Sequence, residues 1–294
     1  MKILNYGSMN IDNVYSVAHI AAPGETILAN QRNVYCGGKG LNQSIALAKA
    51  GANVYHAGVV GDDGDMLLAL LTSHGVNTEF IKRAHGPSAH TVIQVNAQGQ
   101  NCIIVFADEN MRIEEAEIKT VLEGFEAEDI LVLQNELHNS PLMMKLAKAK
   151  GMRVVFNPSP TNEAINDYPL GDVDWFLLNE VEGCALTGQT APDLILRGMQ
   201  EAFPNASVVL TLGQDGAYCM HGDQTLFQPA FKVQAVDTTA AGDTFTGYFI
   251  TGFSRGDALD DVLIRAARAS SIAVSKEGAA DSIPYAKEVE EALR

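Results

Sequence analysis

Basic side chains are scarce. Lys and Arg number 20 against 36 Asp and Glu, a formal net charge of −16. Such a field repels polyanions, which excludes nucleic acid and anionic membrane surfaces as principal partners and favours a small molecule. A phosphorylated metabolite would be repelled as well unless local Lys or Arg met it, so a neutral substrate fits better. Cysteine is also sparse: Cys36, Cys102, Cys184 and Cys219 form no C-x-x-C pair, which excludes a disulfide framework and structural zinc and fits reduced thiols. No run approaches the ~18 apolar residues of a membrane span. Met1 to Asn10 lacks the apolar core of a signal peptide. A soluble, cytoplasmic protein is expected.

Several catalytic signatures are missing. The histidines show no H-E-x-x-H spacing and no G-x-S-x-G occurs, which removes the metalloprotease and serine hydrolase readings. The first strand candidate is not followed by G-x-G-x-x-G, which argues against a dinucleotide-dependent oxidoreductase, and the G-x-x-x-x-G-K-[ST] spacing of a Walker loop is absent.

What is present is alternation. Apolar, branched runs at Ile3 to Tyr6, Asn53 to Ala57, Ile130 to Gln134, Arg153 to Asn157, Trp175 to Leu178 and Ser207 to Leu212 read as interior strands. Helical patterns lie between and after them at 40 to 50, 65 to 74, 114 to 123, 141 to 150, 180 to 187, 193 to 202, 243 to 254 and 258 to 275. This order predicts an α/β fold with a mostly parallel, helix-flanked sheet, and 294 residues without a repeat predict one domain over 1–294. Two stretches break the alternation, 11–36 and 89–106, the second with His90 to Val95 and Asn101 to Phe106 around a turn. They are expected to form a small β-lid whose exposed strands pair two copies as a homodimer.

Chemistry concentrates in glycine-rich and polar segments. In Asp237-Thr238-Thr239-Ala240-Ala241-Gly242-Asp243 small residues precede a patterned helix, leaving backbone N–H groups uncovered for an anion beside a carboxylate able to accept a hydroxyl proton. An ordinary helix start explains the same residues. Gly37-Gly38-Lys39-Gly40 implies close backbone approach, to a ligand or within a tight turn. Asn10 and Asp12 follow the first strand, where open α/β sheets bind ligands, or they close an Asx turn. Asn179 and Glu182 suit magnesium waters or phosphate contacts, and equally a helix cap. Thr211, Gly213 and Gly216 end a strand where a flat base could lie against the backbone, in a kind of glycine turn that is common.

Taken in order, these segments resemble the ribokinase family of carbohydrate kinases, from Gly7 to Pro284. The resemblance rests on D-T-x-A-A-G-D-x-F at 237–245 and G-G-K-G-x-N at 37–42, supported by Pro23-Gly24-Glu25-Thr26, Asn157-Pro158-Ser159-Pro160, Asn179 with Glu182, and the Gln134-x-Glu136 pair. It implies a three-layer fold with a β-lid and transfer of the γ-phosphate of ATP to a primary hydroxyl, with D-ribose going to ribose 5-phosphate as the leading case. Fructose, another ketose or a nucleoside are the alternatives, and a catalytically silent sugar-binding regulator is the reading from a different class. It implies Asp243 as base, Ala240, Ala241 and Gly242 as the anion hole, and Asn10, Asp12, Gly38, Lys39, Asn42 and Glu136 around the sugar. Asn179, Glu182, Thr211, Gly213 and Gly216 would border ATP and Mg2+. Asp237, Thr239, Val274, Glu277, Ala279 and Ser282 would hold K+, mostly through carbonyls. Two departures from the family pattern stand out: Gly61-Asp62-Asp63-Gly64-Asp65 is short, and Ala107-Asp108-Glu109-Asn110 puts acidic bulk near the sugar.

Overall fold

The computed structural model describes residues 1–107 and 113–294. Asp108, Glu109 and Asn110, expected beside the sugar, lie outside the described residues. Among the described residues nine strands form the main sheet in the order β13-β12-β11-β10-β9-β8-β1-β4-β5. The parallel strands are β1 (Ile3–Tyr6), β4 (Val54–Val60), β5 (Asn77–Arg83), β8 (Ile130–Gln134), β9 (Arg153–Asn157), β10 (Trp175–Asn179) and β11 (Ser207–Thr211). An antiparallel pair, β12 (Ala217–His221) and β13 (Gln224–Gln228), extends one edge.

The apolar runs are strands because both faces are covered. Along β8, Ile130 and Val132 join one core while Leu131 and Leu133 join the other. The first core is packed by α1 (Lys39–Lys49), α2 (Asp65–Ser73), α7 (Ala241–Arg255), α8 (Leu259–Ala273) and α9 (Ala286–Ala292). The second takes α3 (Glu115–Glu123), α4 (Ser140–Ala149) and α6 (Pro192–Ala202), and α5 (Glu180–Thr187) packs on α6. Three layers result, as a period of two along strands between helices requires. Helix α3 buries Ile118, Val121 and Leu122 and turns its acidic side outward.

The second sheet has the order β3-β2-β6-β7, with β2 (Asn10–Ser16) and β3 (Gln31–Gly37) from one breaking segment and β6 (His90–Val95) and β7 (Asn101–Phe106) from the other. The β2–β6 pair is parallel and the other two are antiparallel. All six residues of β7 are exposed. The four cysteines are free, and among the described residues no helix is long and apolar enough to cross a membrane.

Strands β5, β12 and β13 and helix α9 go beyond the sequence expectation. Strands β5 and β13 are the two edges of the sheet and β12 and β13 form the hairpin at one of them, where one side meets solvent and the apolar run that marks an interior strand is diluted.

Candidate active site

Four neighbouring parallel strands end on polar residues: Gln134, Asn157, Asn179 and Thr211, with Gln134 opposite Asn157 and Asn179 opposite Thr211 in register. They crown the carboxyl edge of the sheet, where an open α/β fold receives ligands. Beside them lies a cavity of about 250 Å³ lined by Lys39, Asn157, Ser159, Leu177, Leu178, Asn179, Glu182, Thr211, Thr238, Phe245, Thr246 and the run Ala240 to Asp243.

The start of α7 forms one wall. Ala240 caps the helix in the left-handed region, φ 58°, without a side-chain cap. Its carbonyl accepts from the Thr244 N–H at 2.8 Å, and the Ala241 N–H turns back to the Thr238 carbonyl at 3.3 Å. Among the described residues no acceptor meets the Gly242 and Asp243 N–H groups. A methyl group built on Gly242 would touch nothing. Of the expected anion hole, Ala240, Ala241 and Gly242 all face the cavity, with the open donors at Gly242 and Asp243. Two unpaired N–H groups at the positive end of a helix dipole form an anion cradle.

Asp243 is buried, 8% exposed. Its Oδ2 accepts from Asn42 Nδ2 at 3.3 Å and its Oδ1 from Gln43 Nε2 at 3.0 Å. Burial pushes its carboxyl above the usual carboxylate range, while the Lys39 charge and the two amides pull it back. Lys39 opens α1 directly after Gly38, which sits at φ +99°, where any side chain would strike the Ser8 carbonyl. The glycine turn thus aims an ammonium into the cavity.

The expected sugar residues gather next to this wall. Glu136 accepts from the Ser8 hydroxyl and from the Lys39 backbone N–H. Burial raises its carboxyl too, with Lys39 opposing and Asp243 adding to the rise. Asp12 accepts from Thr91 Oγ1 at 2.7 Å, fastening β2 to β6, and burial raises its carboxyl against that bond. A Cβ on Gly37 would overlap the Asp12 carboxylate, so this glycine makes room for it. Asn42 Oδ1 is buried and has no partner among the described residues, an acceptor left for a ligand hydroxyl. Asn10 is buried at the first position of β2, opposite Gly37.

On the opposite wall Asn179 and Glu182 close a capping box. The Glu182 N–H donates to Asn179 Oδ1 at 3.0 Å, and Glu182 Oε2 accepts the Asn179 N–H at 2.8 Å. Both still line the cavity. Thr211 lines it too, whereas Gly213 and Gly216 do not. Gly213 borders open space, but a side chain on Gly216 would strike the Gln228 carbonyl, so Gly216 serves the approach of β13.

The expected cation residues sit on two loops that meet. The Val274 carbonyl accepts the Val236 and Asp237 N–H groups at 2.8 and 3.2 Å, and Asp237 Oδ2 accepts the Gly278 N–H at 3.0 Å. Asp237 Oδ1 accepts both the N–H and the hydroxyl of Thr239, and the Ala279 carbonyl accepts the Ser282 N–H and hydroxyl. The Asp237 carboxylate therefore braces the loops. The carbonyls of Asp237, Thr239 and Glu277 accept no hydrogen bond among the described residues, a set of neutral oxygens suited to a large monovalent ion. No group of three His, Cys, Asp or Glu side chains able to hold a metal occurs among the described residues.

The model of the pfkB family of carbohydrate kinases matches residues 1–286. This chain belongs to that family. Among relatives it is 33% identical over 98% of both chains to a ribokinase of Staphylococcus aureus. Among solved structures it is similar to a ribokinase of Cryptococcus neoformans in complex with ADP, with TM-score 0.88, 32% identity and 99% of each chain covered. It is also similar to a ribokinase of Arabidopsis thaliana complexed with ribose and ATP, with TM-score 0.89, 28% identity, and 100% of this chain and 98% of that one covered. The three-layer fold expected from the sequence is the fold of these pfkB neighbours, and carbohydrate kinase is the activity class.

Within the pfkB site the sequence left several cavity residues without a role: Asn157, Ser159, Leu177, Leu178, Thr238, Phe245 and Thr246. Asn157 and Ser159 belong to the N-P-S-P run, and Phe245 and Thr246 directly follow Asp243 and Thr244. Position in a motif was the available signal, since Leu and Phe carry no chemical type that separates a wall from a core.

Proposed function

We propose that the chain is a cytoplasmic, ATP-dependent ribose kinase that phosphorylates the primary hydroxyl of D-ribose. The observation that carries this reading is the Asp243 carboxylate, braced by Asn42 and Gln43, standing beside the open N–H groups of α7 in one cavity with Lys39. The names of the relatives support ribose over another sugar, and the intact Asp243 argues against a silent regulator.

An alcohol is a weak nucleophile. In a loose phosphoryl-transfer transition state its proton moves late, and one aligned carboxylate suffices. The sugar oxygen forms the new P–O bond, its O–H breaks toward Asp243, and the bond from the γ-phosphorus to the bridging oxygen breaks to leave ADP. Charge migrating over the phosphoryl oxygens meets the Gly242 and Asp243 N–H groups, the α7 dipole and the Lys39 ammonium. Burial supplies Asp243 with basicity, and Lys39 with the two amides keeps it ionised enough to act.

Magnesium would supply charge neutralisation on the nucleotide phosphates, with Asn179 and Glu182 as the side chains on that wall to hold its waters. Potassium would sit on the Asp237–Thr239 and Val274–Ser282 loops and fix the approach of the chain to α7. The lid supports a homodimer: Val34, Tyr35, Ile103, Ile104, Val105 and Phe106 are large apolar side chains left exposed there. Light scattering should give twice the monomer mass of 31.5 kDa, and a monomer at micromolar concentration would refute the pairing.

The test of function is an ADP-release assay over pentoses, ketohexoses and nucleosides, with and without potassium. Ribose should give the highest kcat/KM and potassium should raise the rate. Preference for fructose or a nucleoside would overturn the ribose assignment, and no turnover of any sugar would overturn the kinase reading.

A further inference from the structure

Beneath the base runs a chain of hydrogen bonds among buried polar side chains that touch no wall of the cavity. His56, Asn5 and Ser44 are fully buried and Gln134 nearly so. Gln134 Nε2 donates to Asn5 Oδ1 at 2.9 Å and to Gln43 Oε1 at 2.7 Å. Asn5 Nδ2 donates to the Gly40 carbonyl and to Ser44 Oγ, each at 2.8 Å. Ser44 Oγ lies 2.7 Å from His56 Nδ1, and His56 Nε2 lies 3.2 Å from the Gly7 carbonyl.

Side-chain amides can be turned over without changing their shape, so their direction must be fixed by partners that cannot turn. Here three backbone carbonyls fix it, those of Gly40, Gly7 and Leu177. The Gly40 carbonyl accepts only, so Asn5 must present its NH2 there and its oxygen to Gln134. Gln134 must then donate to Asn5, and the same NH2 donates to Gln43. Gln43 accepts with Oε1 and turns its NH2 to Asp243 Oδ1 and, at 3.3 Å, to Asn157 Oδ1, whose own NH2 is held by the Leu177 carbonyl. At the far end the Gly7 carbonyl requires a proton on His56 Nε2, so Nδ1 accepts the Ser44 hydroxyl hydrogen. Burial holds this imidazole neutral by depressing it to about 4, and the order of donors survives over the physiological pH range.

Gly7 and Gly40 make the chain possible. A Cβ on Gly7 would lie 2.5 Å from Gln134 Oε1, and one on Gly40 would lie 2.5 Å from the Gly7 backbone. Two glycines of the sugar-side motifs thus serve close packing of loop on loop above the amides.

We propose that Gln134, through Gln43, is a positioning residue for phosphoryl transfer: the amide relay anchored on the Gly40 carbonyl forces an N–H donor onto Asp243 Oδ1. Gln134 touches neither substrate nor base. Without it Gln43 loses the donor at its Oε1 and is held by its NH2 alone, shared between Asp243 Oδ1 and Asn157 Oδ1, so that it can shift toward Asn157 and leave the carboxylate. The charged groups around Asp243 are Lys39 at the start of α1, Glu136 after β8 and Glu182 across the cavity, and none replaces a neutral donor at Oδ1.

This inference rests on Asp243 as base, so Asp243→Asn is the reference. An Asp243→Asn enzyme as fast as the parent sinks the functional reading; a dead Asp243→Asn beside a normal Gln134 variant sinks only the relay. Gln134→Met and Gln43→Met, each close in size to the original, should lower kcat roughly tenfold, as loss of a hydrogen bond to a charged group does. Losing a donor to the charged form raises the carboxyl further. The acid limb of the kcat profile should therefore move to higher pH, and the deficit should shrink as pH rises, with the KM of the sugar nearly unchanged. The double variant should be no slower than Gln43→Met alone, because Gln134 acts through Gln43. Gln134→Glu, polar and of the same size, presents acceptors where donors stood and should shift the limb further, which keeps the test open where Gln134→Met does not fold. A deficit equal at every pH, or losses that multiply in the double variant, would overturn the relay.

Discussion

Helices α5 and α7 open onto the same cavity with a carboxylate at the same third helical position, and use it in opposite ways. Glu182 folds back on its own helix start, where Asn179 and Glu182 satisfy each other's backbone N–H groups. Asp243 turns away from its helix start to Asn42 and Gln43 of α1, and the residue before the helix is an alanine with nothing to offer as a cap. One terminus is sealed by local rules. The other leaves its donors open, at the expense of capping energy on the order of 1 kcal/mol. The departure from good local chemistry falls where the proposed function needs phosphoryl charge to be received.

Breaking the open terminus should have the largest effect. Asp243→Ala should lower kcat by on the order of 10²-fold or more, the usual size of base catalysis, measured by ADP release at saturating substrate. The same change should alter the pH dependence of stability. Burial raises the folded-state carboxyl above its unfolded value, so the folded chain holds this proton to higher pH than the unfolded chain. The sign follows: native stability falls as pH rises from the ordinary carboxylate range through the raised folded value. Asp243→Ala removes that slope, and thermal melts across this window should show the variant gaining on the parent toward neutral pH. An unchanged slope would mean that the carboxyl is not perturbed in the fold.

The two termini also show what the sequence could reveal. The interior of the main sheet was legible because strands covered on both faces, such as β8 and β11, must be unbroken apolar runs. The β12–β13 hairpin and β5 lie at edges and carry too mixed a pattern. In the site, Asp243, Lys39 and the glycines were marked by the order of their motifs along the chain, since each segment alone also fitted an ordinary helix start or a tight turn. The Asn179–Glu182 pair could be read as a cap or as a ligand site, and the structure shows the cap at the cavity wall. Asn42 was marked by motif, but as a sugar residue, and the contact of Gln43 with Asp243 and Gln134 was silent. Gln43 and Gln134 are 91 residues apart, and nothing in a glutamine foretells which neighbour the pairing of β1 with β8 will bring to it.

Gly242→Ala sharpens the comparison at intermediate size. The added methyl meets no atom of the chain, and alanine is the better helix former by up to about 1 kcal/mol, so the fold should tolerate or welcome it. Crowding the anion cradle while leaving its donors in place should slow turnover about tenfold, less than the ~10²-fold or greater loss on deleting such a donor. A melt at or above the parental temperature with lower kcat would separate cradle from scaffold; parental kcat would mean that the phosphoryl group does not approach Gly242.

The smallest effect belongs to the sealed terminus, and it should fall on stability first. Asn179→Ala removes one half of the capping box and leaves the α5 donors to water, a loss of about 1 kcal/mol. For a chain of this size that is about 2 °C in the melting temperature. Asn179 lines the cavity, and with ATP on that wall, as proposed, the KM for ATP should rise severalfold while kcat at saturating ATP changes little, the pattern of an interaction made equally in ground and transition states. If kcat fell as far as in Gly242→Ala, the α5 terminus would be part of the charge-receiving apparatus, and the contrast between a sealed and an open helix start would not hold.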